Sequence, residues 1–305
     1  MPDTLTGILS EPIDLIVYPC LRDHAFNPGG PGTHRTLEAV YPAVEAMQVL
    51  GTAVYRMHSL EGECIRIRNA RFGKFLPLPV NTDRISALLE ISPETDGWAA
   101  ARLCSRKQAG SAGMIRRLVH AEMEFRVGKN TEAQEPAEIE PASSAMEPAS
   151  GGGSPEFVIP AARLYGELVP FGPLFHHLTG DIRLYETGAG AEGVAPGHIT
   201  APGLLGSPFP LDAAFHCACA WGQRHAGLVA FPTGFAGRRN LRPVHPGASF
   251  RLCVMITESG PDRIVCDMAV FLEDGGLADE VTGLLMKDVS GGRWKPPEWI
   301  RIKKQ

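Results

Sequence analysis

The chain has 305 residues, 44% of them hydrophobic, which is enough to bury a large core and fits one double domain or two domains of ordinary size. A formal charge of -5 and a pI near 6.1 give no global pull toward nucleic acid or an anionic membrane. Seven cysteines without a CxxC pair or metal-type spacing read as buried thiols in a reducing compartment, and Cys217 and Cys219 are too close for an ordinary zinc pair.

Met1 to Pro12 lack a basic segment followed by an apolar one, so no signal peptide is expected, and no apolar run approaches the roughly 18 residues of a membrane span. The expected location is the cytoplasm.

Along the chain, IDLIVYPCL (Ile13–Leu21) reads as a strand running into LRDHAF and a Gly/Pro-rich loop. PAVEAMQVLGTAVYRM (Pro42–Met57) carries apolar residues at helical spacing behind a proline suited to a first turn. Alternating stretches follow in ECIRIRNARF, ISALLEI, AAARLCSR and RRLVHAEMEFRV. Residues 129–155 are rich in Ala, Glu, Pro, Ser and Gly and hold no aromatic, so they cannot bury enough apolar surface to offset ordering; they read as a flexible linker.

In the second half, FVIPAARLYGELVPF leads into DIRLYETG. LDAAFHCACAWGQRHAGLVAF (Leu211–Phe231) is the strongest helix candidate, and SFRLCVMITES, RIVCDMAVFLED and DEVTGLLMKDV read as strands behind it. One or two strands, an apolar helix and several long antiparallel strands thus occur twice. The pattern predicts an α+β protein with similar halves at 1–128 and 156–305.

Chemistry-bearing residues cluster in three places. His24 ends the first strand in LRDHAF; Asp212 and His216 lie four apart at the start of the second helix, on one face; FGPLF (Phe171–Phe175) opens the second half. Residues of each type have plainer uses, since an Asp before an apolar helix is commonly a cap and a His on an apolar face a hydrogen-bonded core residue. The adjacent His176 and His177 would point to opposite faces of an extended segment, which argues for a structural role over a metal site. The basic runs Arg66, Arg68, Arg71, Lys74 and Arg238, Arg239, Arg242 read as solvated strand faces, one of which would suit an acidic carrier protein. Trp294 and Trp299 are expected to close the core.

These segments resemble the dehydratase domains of polyketide and polyunsaturated-fatty-acid synthases. LDAAFH (Leu211–His216) is similar to that family's DxxxQ or DxxxH motif, RDHAF followed by YPAVEAM to its His motif, and LYGELVPFGPLFHHLTGDIRLYE and PTGFAGRRNLRPVHPG to the opening and the later strand pair of its second hotdog. Phe171 stands where many relatives have Tyr, and the loop from His24 to Pro42 is longer than the family's and contains His34, a second candidate for the base.

The resemblance implies a double hotdog, each half a curled antiparallel sheet around a central helix, so that one chain imitates a dimer and works as a monomer or a further homodimer. It implies dehydration of a 3-hydroxyacyl thioester to the 2,3-enoyl product, on an acyl carrier protein or coenzyme A. His24 would take the C2 proton, and Asp212 would protonate the departing hydroxide, its pKa raised by burial, with His216 in support. Pro42, Gly172, Pro173 and Phe175 would contact substrate, and backbone N–H groups at a helix N-terminus would stabilise the thioester oxygen. No metal or other cofactor is implied, the phosphopantetheine arm arriving with the substrate. The same fold also allows double-bond isomerisation, product-template cyclisation, or binding of an acyl chain or carrier without catalysis.

Overall fold

The computed structural model describes residues 8–26, 38–58, 65–109, 114–127, 154–197 and 203–302. His34 and all but the last two residues of the 129–155 linker lie outside them.

In the first half, β1 (Leu9–Ile16) precedes α1 (Ala43–Met57), followed by β2 (Ile65–Phe72), β3 (Arg84–Ile91), β4 (Trp98–Ala109) and β5 (Met114–Arg126). The second half opens with the short β6 (Phe157–Ile159), β7 (Ile182–Tyr185) and β8 (Gly188–Val194). Then come α2 (Phe209–Trp221), β9 (Phe231–Asn240), β10 (Ser249–Ser259), β11 (Arg263–Leu272) and β12 (Leu277–Lys287).

The strands join in one sheet ordered β1-β3-β4-β5-β2-β9-β12-β11-β10-β8-β7-β6. Read outward from the centre, β2-β5-β4-β3-β1 and β9-β12-β11-β10-β8 have the same connectivity, with the helix following β1 in one and β8 in the other. The two copies meet edge to edge through antiparallel β2 and β9, from Ile65 opposite Asn240 to Arg71 opposite Gly234. Each copy's helix packs on its own sheet, α1 against β4 and β5 and α2 chiefly against β8 and β10. This is a double hotdog, and the pairing of β2 with β9 closes two sheet edges that would otherwise be open to another chain.

The two helices sit in different surroundings. α1 buries Val44, Met47, Leu50 and Val54 at helical spacing, while Arg56 and Met57 face outward. In α2 all thirteen residues from Phe209 to Trp221 are buried. Its alanines and cysteines let the backbone approach β8, whose GAGAEGV sequence carries no side chain larger than Ala at Gly188, Ala189, Gly190 and Ala191. An apolar helix without a polar face needs such cover on every side.

Two element expectations are corrected. The first strand ends at Ile16, because Pro19 lacks the N–H a ladder needs; Pro19–Asp23 instead form a tight 3-10 turn. The second helix begins at Phe209 and stops at Trp221, passing through a π-turn (Gly222–Ala226) to Gly227 at φ +69°, a left-handed conformation that glycine adopts without strain. The LVAF stretch is the approach to β9.

The second basic run is a solvated face only at Arg242, which pairs with exposed Asp274. Arg238 makes a buried bidentate pair with Asp279, with Nη2 to Oδ2 at 2.5 Å, and Arg239 pairs with Glu280 at 2.7 Å. In the first run, Arg68 holds Glu124 at 2.7 Å and Arg71 approaches Glu122 at 3.6 Å. The described cysteines, Cys20, Cys104, Cys217, Cys219, Cys253 and Cys266, are buried and form no disulfide with one another. No described helix is long and apolar enough to cross a membrane.

Candidate active site

His24 sits immediately after the 3-10 turn. Its backbone N–H donates to Leu21 and its carbonyl accepts from Val40, both at 3.1 Å. The ring Nδ1 lies 2.8 Å from the Val40 carbonyl, which can only accept, so Nδ1 carries the proton and Nε2 is left as the basic nitrogen. Arg22 pins the turn by donating to the carbonyls of Leu78 (3.0 Å), Pro79 (2.6 Å) and Thr82.

From the second half, Phe171 stacks on the imidazole with centroids 4.7 Å apart, and Phe175 tilts against it at 4.9 Å. Burial lowers the His24 pKa, partly offset by the nearby Asp212 charge, so the ring is neutral at ordinary pH.

Asp212 lies in the first turn of α2. It makes no capping bond; the N-terminal residue is Pro208, and the Asp212 carboxylate turns toward histidines instead. Oδ2 is 3.2 Å from His216 Nε2, one turn along the same helix, and 3.8 Å from His177 Nε2. Tyr165 supports this cluster from below: its hydroxyl accepts from the N–H groups of His177 and Leu178, each at 3.0 Å, and lies 3.5 Å from His216 Nδ1.

The expected rise in the Asp212 pKa is not found. Burial is the strongest single influence and pushes it up, but His216, His24 and His177 together hold it below the ordinary carboxylate value. Sequence reasoning had counted the desolvation and not the three surrounding imidazoles.

Both groups open on one cavity of about 590 Å³ formed between the halves. His24, Phe26, Tyr41 and Ala43 line it from one side, and Phe171, Asp212, Phe215, His216 and Cys219 from the other. Its remaining wall is largely apolar, with Leu76, Leu103 and Ala121 from the first half and Ala230, Phe231 and Met286 from the second. Trp294 forms part of this wall, stacked near Phe26 and Phe231, so its place is the cavity and not only the core. Trp299 packs outside, against Phe157 and Arg163.

The four residues expected to contact substrate stand one layer back; none lines the cavity. Pro42 precedes α1 and accepts the first helical bond, from Ala46 N–H at 3.0 Å. The N–H groups of Ala43 and Val44 therefore have no intrahelical acceptor, and Ala43 itself faces the cavity. Gly172 donates to the Asp23 carbonyl at 2.8 Å, and Leu174 N–H, at the start of the Pro173 turn, donates to Asp23 Oδ2 at 2.9 Å. Phe175 is fully buried against His24. Gly172, Pro173 and Phe175 thus brace the His24 turn across the junction of the halves. Sequence reasoning missed Tyr165 and His177; both lie in the quoted LYGELVPFGPLFHHLTG segment.

A helix, a curled antiparallel sheet and their repeat place the chain among double-hotdog proteins. Residues 157–293 match the family model described as "Polyketide synthase dehydratase N-terminal domain", although they fall in the second half of this chain. Over those residues the chain is similar to the polyketide synthase dehydratase family.

No curated protein matches in sequence. Among solved structures, the chain is similar to the dehydratase domain from the CurJ module of curacin polyketide synthase, with TM-score 0.69 and 15% identity over 94% of this chain and 93% of that one. A trans-AT polyketide synthase dehydratase domain from Brevibacillus brevis gives 0.67 and 13%, covering 93% and 94%. A trans-acyltransferase polyketide synthase enoyl-isomerase gives 0.60 and 15%, covering 90% and 98%. At these identities the likeness is one of fold.

Proposed function

We propose that this chain removes water from a 3-hydroxyacyl thioester, with His24 as base and Asp212, paired with His216, as acid. The observation that carries the reading is that His24, with its proton fixed on Nδ1, and Asp212, faced by His216, open from different halves onto one apolar cavity.

In the reaction, His24 Nε2 takes the proton from C2, the C2–H electrons form the C2–C3 double bond, and the C3–O bond breaks. The leaving hydroxide takes a proton from the Asp212–His216 pair and departs as water. The protonated His24 and the deprotonated pair then exchange the proton back through solvent. Because Asp212 is held below the ordinary carboxylate value, the transferable proton belongs to the pair and not to an isolated carboxylic acid. In this reading the N–H groups of Ala43 and Val44 at the start of α1 stabilise developing negative charge on the thioester oxygen, which gives Pro42 its role as the residue that opens that helix end.

The reaction is two proton transfers and cleavage of the C3–O bond with no change of overall oxidation state, so the reading calls for no redox group, and phosphopantetheine enters as part of the substrate. The partner is an acyl carrier protein or coenzyme A. The buried thiols support a reducing, cytoplasmic setting. Residues 1–128 and 156–305 are the two hotdogs, with 129–155 as linker; their pairing through β2 and β9 supports a chain complete as a monomer, to which a further dimer can be added.

Product identity tests the reading. A 3-hydroxyacyl pantetheine thioester is incubated with the protein, following loss of one water by mass and enoyl-thioester absorbance. The expected product is the 2,3-enoyl thioester. Recovery of unchanged hydroxyacyl substrate, together with migration of the double bond in an enoyl substrate, would replace dehydration with isomerisation.

A further inference from the structure

His177 has no part in the scheme above, yet it is buried at 2% exposure with its Nε2 turned toward Asp212. Among the described residues, Asp212 Oδ2, His216 Nε2 and His177 Nε2 are each buried without a hydrogen-bond partner. The three atoms converge. Oδ2 is 3.2 Å from one imidazole nitrogen and 3.8 Å from the other, but neither contact has hydrogen-bond alignment. The two rings lie nearly parallel, 10° between planes and 6.3 Å between centroids. Buried polar atoms without partners are costly, and their convergence beside a cavity marks a functional arrangement better than a packing accident.

The backbone holds His177 in place from both sides. Its N–H donates to the Tyr165 hydroxyl at 3.0 Å and its carbonyl accepts from Val194 at 3.1 Å. A Cβ on neighbouring Gly193 would sit 2.4 Å from that carbonyl oxygen, so only glycine fits there. The ring packs against Phe209 at 4.5 Å and Phe175 at 5.4 Å. We propose that His177 is a positioning residue of the dehydration site, its Nε2 side holding the Asp212 carboxylate against the pull of His216 so that Oδ2 stays aimed at the leaving hydroxyl.

This inference rests on the dehydratase reading for its catalytic consequence, though not for the contact itself. The charged and titratable groups facing His177 are Asp212 and His216 on α2, His176 beside it in the chain, and His24 from the first half. Burial and the neighbouring histidines press the His177 pKa down to about 3, against the pull of Asp212, so the ring acts as a neutral N–H donor at working pH. A neutral donor beside a carboxylate favours the anion. Its removal makes Asp212 bind a proton more tightly and leaves the carboxylate free to turn.

The test uses the full chain labelled with ¹³C-carboxyl aspartate, the Asp212 resonance being assigned by its loss in Asp212→Asn. His177→Phe keeps the ring volume and removes the donor; His177→Gln restores an N–H. Should His177→Phe fail to fold, His177→Leu takes its place. In His177→Phe, proton affinity at Asp212 rises about tenfold, the alkaline limb of the pH–rate profile moves up with it, and kcat falls about tenfold at unchanged KM. His177→Gln returns all three toward wild type. An unchanged Asp212 titration in the folded variant, or Gln behaving as Phe does, overturns the proposal. A shifted titration in a protein whose wild type turns over no 3-hydroxyacyl thioester would sink the dehydratase reading and leave the positioning role standing.

Discussion

Gly172→Ala tests how the second half braces the base. Gly172 has φ -69° and ψ 165°, a conformation open to any residue, so the substitution strains nothing by itself. The added methyl, however, would lie 2.4 Å from Asp23 Cγ, 2.6 Å from its Cβ and 2.7 Å from its Oδ2. Two of these are atoms near the backbone, so Asp23 cannot swing clear, and the turn carrying His24 must shift. Overpacking of this kind costs about 1–3 kcal/mol, and each kcal/mol lowers Tm by about 2–4 °C in a chain of this size class. Movement of the adjacent imidazole by about 1 Å is expected to lower kcat/KM by about 10–100-fold.

Asp23→Gly removes all three clashing atoms, along with the bond to Leu174 N–H. The double variant should therefore resemble Asp23→Gly alone, giving a coupling of about 1–3 kcal/mol in the double-mutant cycle. Steady-state rates and thermal melts of the four proteins measure this. Wild-type activity in Gly172→Ala, or strictly additive effects, would refute the bracing argument.

Activity should rise with pH as His24 loses its proton, with a midpoint below the ordinary imidazole value because burial disfavours the cation; a midpoint above that value in the kcat/KM profile would contradict it. Stability follows a related rule. Native His177 stays neutral down to about 3, whereas in the unfolded chain it protonates near ~6.5. Its contribution is thus present above the unfolded value and lost as pH falls below it, by about 1.4 kcal/mol per pH unit, and denaturant melts across that range should show the slope. Asp279→Ala leaves Arg238 buried without its partner and should cost about 3–5 kcal/mol, while Arg242→Ala, at an exposed pair, should leave the melt unchanged. Cys219 lies seven residues along α2 from Asp212, about 10 Å at the helical rise. Cys219→Phe should therefore exclude long acyl chains while short ones keep their KM, measured with an acyl-length series.

The repeat of helix and strands was legible because α1 keeps its apolar period, α2 is a long apolar run, and Pro42 marks one start to within a residue. Boundaries failed where one local group overrode the pattern: Pro19 in the first strand, and Gly227, whose left-handed turn separates the apolar Leu228–Phe231 stretch from the helix. Arg238 and Arg239 looked solvated because Asp279 and Glu280 reach them only through the register of β9 on β12. The candidate residues His24, Asp212 and His216 were readable from their motifs. Gly172, Pro173 and Phe175 were readable as important, but their partner is Asp23 and the back of His24, across a junction that no periodicity records. His177 showed its buried, alternating position in sequence, while its nearness to Asp212 depends on how Tyr165 folds the segment over α2.

The most direct measurement is turnover of a 3-hydroxyacyl thioester by wild type, His24→Ala, His34→Ala and Asp212→Asn, each checked for folding by circular dichroism. The account predicts water loss by wild type and His34→Ala, and none above background by His24→Ala or Asp212→Asn. Turnover that survives loss of His24 or Asp212 in a folded protein, or that vanishes with His34, would contradict it.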